Sequence, residues 1–153
     1  MRKVISIYVI FAVLCSPALV LDSKKTGYVG GTIAGLKEGT EGKSSALDEN
    51  NFVFEHKNGK LLIPYKDVEE LEYGQKAGRR VAVAILVSPL AIFSKKRKHY
   101  LTISYKNEAG KGQAAVFELG KDVIRTMLSS LEARTGKQIQ YQDEEAKKSA
   151  KGN

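Results

Sequence analysis

Glu69, Glu70 and Glu72 put three carboxylates within four positions, enough for one to give a proton while another takes it. No nucleophile, second carboxylate motif or metal-ligand spacing accompanies them, so solvated strand positions are the simpler reading. The two histidines, His56 and His99, fall in separate expected strands with no carboxylate or cysteine pattern, and read as surface or barrel-wall residues. Gly42-Lys43-Ser44 matches the end of a phosphate-binding loop, but Lys37 stands where the upstream glycine belongs, and no helix is expected to follow. Gly27, Gly30, Gly31 and Gly35 likewise precede no helix and serve strand bends or turns rather than a dinucleotide. A single cysteine, Cys15, excludes an intramolecular disulfide and a thiolate zinc site. No catalytic, cofactor or metal site is therefore assigned, and the chain is not expected to be an enzyme. A small hydrolase using Glu72, His99 or nearby groups is the alternative from another class, and it requires those groups to converge in one pocket.

The elements that must position these residues are bounded by size and composition. At 153 residues, 42% apolar and 27% charged, the chain has the length of one domain. These values exclude a multidomain enzyme, wholesale disorder and a polytopic membrane protein. Met1-Arg2-Lys3, the uncharged run Val4 to Leu14, and Ser16-Pro17-Ala18 fit a secretory signal over residues 1–18, cleaved after Ala18. An uncleaved anchor needs about 20 apolar residues, reached only by counting on through Pro17 to Leu21. Bulky Leu14 before Cys15 argues against a lipoprotein signal. The expected location is exported, in the periplasm or cell envelope, with peripheral membrane association open.

Residues 19–25 read as a linker and 26–136 as the folded domain. Strands are expected at Gly27 to Ala34, Ser44 to Leu47, Phe52 to His56, Lys60 to Pro64, Val68 to Tyr73, Lys98 to Lys106 and Gln113 to Leu119. Asn58-Gly59 predicts a type I′ turn between the third and fourth. Val68 to Tyr73 could also form a short helical turn, because Glu and Leu favour helix. From Asp122 to Thr135 the period changes: Val123, Ile124, Met127, Leu128 and Leu131 share one helical face, and Gly136 suits a left-handed cap. Residues 137–153 read as a polar, mostly disordered tail, with a short extended piece over 137–142. The fold class is mainly β with one C-terminal helix, a seven-stranded antiparallel, partly open barrel or pair of packed sheets plugged by that helix.

This order resembles the pleckstrin-homology-like (PH-like) superfold, and small bacterial PH-like domains in particular. The resemblance spans Gly27 to Thr135. Leu61-Leu62-Ile63-Pro64-Tyr65 leading into Val68-Glu69-Glu70-Leu71, and Ala115-Val116-Phe117-Glu118-Leu119 leading into the helix, carry it. The stretch from Glu72 to Lys98 is also similar to a family of uncharacterised exported bacterial proteins. PH-like domains serve as phosphoinositide, peptide and assembly modules, so the resemblance implies a binding or scaffolding role without choosing one. No inositide-binding basic motif stands in the first hairpin loop.

One segment departs from an ordinary domain. Between Arg79-Arg80 and Lys95-Lys96-Arg97-Lys98 lies an uncharged insertion over residues 81–93, with Ser88 as its only polar side chain. As a helix it would reach about 20 Å, short of the ~30 Å hydrocarbon core, and Pro89 would disturb it. Three placements fit: buried core, which is commonest for such runs; an interface dip among acyl chains with cations near anionic headgroups; or a homo-oligomeric or partner interface. The candidate contact residues are Arg79, Arg80, Val83, Ile85, Leu86, Leu90, Ile92, Phe93, Lys95, Lys96, Arg97 and Lys98. Cleavage after Ala18 removes Arg2 and Lys3 from 25 basic residues and none of the 17 acids, so the formal +8 becomes +6. The six cations flanking the apolar segment equal that excess. Export and the lack of basic residues interleaved with exposed aromatics argue against nucleic acid as a partner. The expected partners are an anionic membrane surface or another protein, with oligomeric state open and no cofactor.

Overall fold

A computed structural model of the chain describes residues 25–75 and 98–152. The signal, most of the linker and the apolar segment lie outside the described residues. Eight strands form one sheet: β1 (Lys25–Gly31), β2 (Thr40–Ser45), β3 (Asn51–His56), β4 (Gly59–Pro64), β5 (Val68–Gly74), β6 (His99–Lys106), β7 (Gly112–Leu119) and β8 (Ile139–Tyr141). Two helices, α1 (Ile124–Thr135) and α2 (Glu144–Lys151), flank β8, and a 3-10 turn, Tyr65–Asp67, leads into β5. The sheet order is β4-β3-β2-β1-β7-β6-β5-β8. Every neighbouring pair is antiparallel except β5 with β8, which are parallel.

The mainly β class with a C-terminal helix holds, with three corrections. Among the described residues the strands number eight rather than seven, the sheet is open with β4 and β8 at its ends, and a second helix follows the first. β8 falls within the short extended piece expected over 137–142, whereas the polar stretch after it, expected to be disordered, forms α2. Ile139 is buried in the main core and pairs with Leu71, while Ala146 and Ala150 bury one face of α2.

Phe117 organises the interior. Its ring meets Tyr28 at 5.9 Å, Phe52 at 5.2 Å and Phe54 at 5.1 Å. In the sheet order β7 and β3 are three positions apart, so their backbones would lie about 14 Å apart if the sheet were flat. Direct ring contact shows that the sheet curls, bringing the two strands face to face. α1 fills the concave side with Ile124, Met127, Leu128 and Leu131, the stripe that the helical period marked. Gly136 ends it at φ 68°, with its N–H donating to the carbonyl of Glu132.

The hairpin between β3 and β4 forms, but its turn differs from the expected type I′. His56 pairs with Gly59, so Lys57 and Asn58 are the loop residues. No non-glycine among the described residues has positive φ, whereas Gly59 sits at φ 150°. The glycine therefore absorbs the reversal after the turn instead of within it. β2 also lies earlier than expected and is largely polar. Gly42 belongs there because a Cβ would strike the carbonyl of Glu55 and the ring of Phe54.

Candidate functional site

The residues expected to carry function belong in sequence to the connection from β5 to β6. Gly74 lies opposite Tyr100, so the chain leaves the sheet at Gln75 and returns at Lys98 on neighbouring antiparallel strands. Of the expected contact residues, Lys98 is described. Arg79, Arg80, Val83, Ile85, Leu86, Leu90, Ile92, Phe93, Lys95, Lys96 and Arg97 lie outside the described residues.

The Nζ of Lys98 donates to the carboxylate of Glu118 at 2.8 Å. Both side chains are about one-third exposed, so solvent screening keeps this pair modest and its main effect is to fix the start of β6. The pair forms one wall of a groove of about 480 Å³, lined also by Lys25, Tyr28, Glu41 and Gly120. A second ion pair, Lys25 to Glu41 at 2.9 Å, closes the other side.

Next to this groove is a polar cluster that single-sequence reasoning missed. The Tyr73 hydroxyl lies 2.6 Å from Nδ1 of His99, and the two rings stack at 6.1 Å between centroids, 11° from parallel. Ser149 of α2 accepts a hydrogen bond from Gln75 at 3.1 Å and also bonds to Tyr73. Burial pushes the Tyr73 phenol up. His99 is lowered, first by burial and then by the charge of Lys121, against an opposing pull from Glu118. A strand-end tyrosine and histidine were visible in the sequence, but Ser149 lay in the expected tail and carried no signal.

Glu72 does not join this cluster. It pairs with Thr102, whereas Tyr73, the next residue, contacts His99, so strand alternation sends Glu72 and His99 to opposite faces of the sheet. Glu72 is buried, and its Oε1 has no hydrogen-bond partner among the described residues. Glu69 forms an ion pair with Lys106 at 3.0 Å. His56 stacks on Phe54 at 5.8 Å beside the hairpin turn. Gly42-Lys43-Ser44 is strand, and the Ser44 hydroxyl bonds the buried hydroxyl of Thr26 at 2.7 Å. Among the described residues, no three His, Cys, Asp or Glu side chains are grouped to hold a metal ion, and no helix is long and apolar enough to cross a membrane.

No protein-family model matches the chain, and no curated protein matches it.

Proposed function

We propose that this chain is an exported, non-enzymatic PH-like binding or scaffolding module that docks to an envelope membrane through residues 81–93 and the cations flanking them. The observation that carries this reading is the pairing of Gly74 with Tyr100. It brings Gln75 and Lys98, the described residues on either side of the connection that carries the apolar run, to one end of two adjacent strands. An apolar run bracketed in sequence by cations, whose two ends join the sheet side by side at Gln75 and Lys98, suits shallow insertion with the cations among anionic headgroups. The order β4-β3-β2-β1-β7-β6-β5 and a helix packed into the curled sheet support the PH-like resemblance. The residues named for the enzyme alternative, Glu72 and His99, occupy opposite faces and do not form one site together.

Sedimentation of the exported form with anionic and with neutral liposomes tests the reading. Enrichment in the anionic pellet, reduced by salt, is expected, and absence from both pellets removes the membrane role. Ile85→Asp separates the alternatives. Loss of vesicle binding by a folded protein supports docking, conversion of an oligomer to a folded monomer favours a protein interface, and unfolding favours a place in the core.

A further inference from the structure

The polar cluster at the end of β5 is a directed chain of hydrogen bonds. Gln75 Nε2 donates to Ser149 Oγ at 3.1 Å, Ser149 bonds Tyr73, and the Tyr73 hydroxyl lies 2.6 Å from Nδ1 of His99. Burial raises the Tyr73 phenol most, and the Ser149 bond lowers it, the direction given by a hydroxyl that donates to the phenol oxygen. A phenol has one proton. With Ser149 donating to Tyr73, that proton points at His99, so Nδ1 accepts and the neutral ring carries its hydrogen on Nε2. Each group thus passes one hydrogen to the next, from the end of β5 through α2 and back to β6.

That order holds only while His99 is neutral. Imidazolium carries hydrogen on both nitrogens, so Tyr73 must accept from Nδ1 and turn its own proton toward Ser149, which already accepts from Gln75. Ser149 then no longer donates to Tyr73. The tie matters because α2 is lightly held. Its buried face is Ala146 and Ala150, two methyl groups, so hydrogen bonds carry a large share of its attachment. The Asp143 cap and the bond from Arg125 of α1 to the carbonyl of Lys151 use no group of this chain.

Among the described residues, Glu118 of β7 favours the imidazolium, and Lys121 just beyond β7 opposes it. Lys98 occupies Glu118 at 2.8 Å. Tyr73 faces His99 from β5, and β8 adds Tyr141, edge-on to Tyr73 at 6.2 Å, with Glu132 of α1 acting on Tyr141. On α2, Glu145 lies one turn before Ser149. Burial first, then Lys121, holds His99 below its ordinary value in the closed arrangement.

We propose that Ser149 is a proton-released latch: protonation of His99 turns the Tyr73 hydroxyl, ends the donation from Ser149, and lets α2 lift from the end of the sheet. Lifting uncovers the apolar surface on which Ala146 and Ala150 are buried. With α2 away, water accepts the Tyr73 proton and His99 returns toward its ordinary value of about 6.5. Opening therefore takes up a proton below that value, so acid favours it, and the gain levels off once the closed form is protonated too. The device does not depend on membrane docking.

Hydrogen exchange and ring titration by NMR on the full chain, between about pH 7.5 and 5, test it. The Ser149 and Ala150 amides, corrected for the intrinsic pH dependence of exchange, should be less protected than Phe117 in β7 at every pH. Their protection should fall with acid at the midpoint of the His99 titration. In Ser149→Ala it should be about five-fold lower at neutral pH, the worth of one hydrogen bond, with a smaller further fall in acid. The His99 ring of that variant should titrate at higher pH, because coupling between two sites is reciprocal. In His99→Phe, α2 protection should not vary with pH. Equal protection of α2 and Phe117, an unaltered acid response in Ser149→Ala, or a full one in His99→Phe overturns the latch.

Discussion

His99 shows how one side chain can tie stability to pH. Burial and Lys121 lower its proton affinity in the fold, so below an unfolded value of about 6.5 the unfolded chain takes up the proton more readily. Stability should therefore be greatest above that value, fall as pH drops toward the lowered folded value, and then level off. His99→Phe keeps a ring against Tyr73 but cannot titrate, and the loss of melting temperature between neutral and mildly acidic pH should be smaller in it. Identical pH profiles for the two proteins would mean that His99 does not carry the effect. What made this residue hard to read in the sequence is that its environment is assembled from distant positions. Lys121 follows β7 and Ser149 belongs to α2, and neither adjacency is written in the local pattern around position 99. Glu72 was legible as an acid and as a strand residue, but its burial depends on the whole sheet.

Elements were legible where they own a repeating apolar pattern. α1 was readable because four buried residues recur at helical spacing over the length of the helix, and β6 because its core-facing Leu101, Ile103 and Tyr105 alternate. α2 escaped because its buried face consists of two alanines four residues apart, too small a signal in a stretch dominated by Lys and Glu. Its start was nonetheless encoded: the Asp143 carboxylate accepts the N–H of Ala146 at 2.7 Å, a side-chain cap for an otherwise orphaned donor. Asp143→Ala should cost about 1 kcal/mol, felt first in this helix. Hydrogen exchange would check it, with faster exchange expected at the amides of Ala146 and Lys147 and little change in β6 or β7. Uniform acceleration across the sheet would instead show that α2 and the core unfold as one unit.

At the scale of the molecule, the two ends of the open sheet are managed differently. Among the described residues no strand pairs with the outer side of β4, and Leu62 on it is 53% exposed. Lys60, paired with Glu55 at 2.5 Å, places charge on that edge and discourages another strand from adding to it. Lys60→Val should preserve the fold and hasten self-association, seen as an earlier rise in light scattering on prolonged incubation. An unchanged onset would mean that the charge is not what protects the edge. The openness of the sheet was out of reach of strand counting, because whether the last strand meets the first depends on curvature and register rather than on any one segment's composition.

The opposite edge, β5, is covered by β8, a strand of three residues that arrives only after α1 has crossed the sheet. Order of synthesis then becomes part of the protein's safety. A chain stopped just past Gly136, or clipped in the short link before Ile139, would possess seven strands and the core helix and still present β5 bare. Such a truncated product would behave as a seed for clumping, so β8 acts as a late seal on the β5 edge.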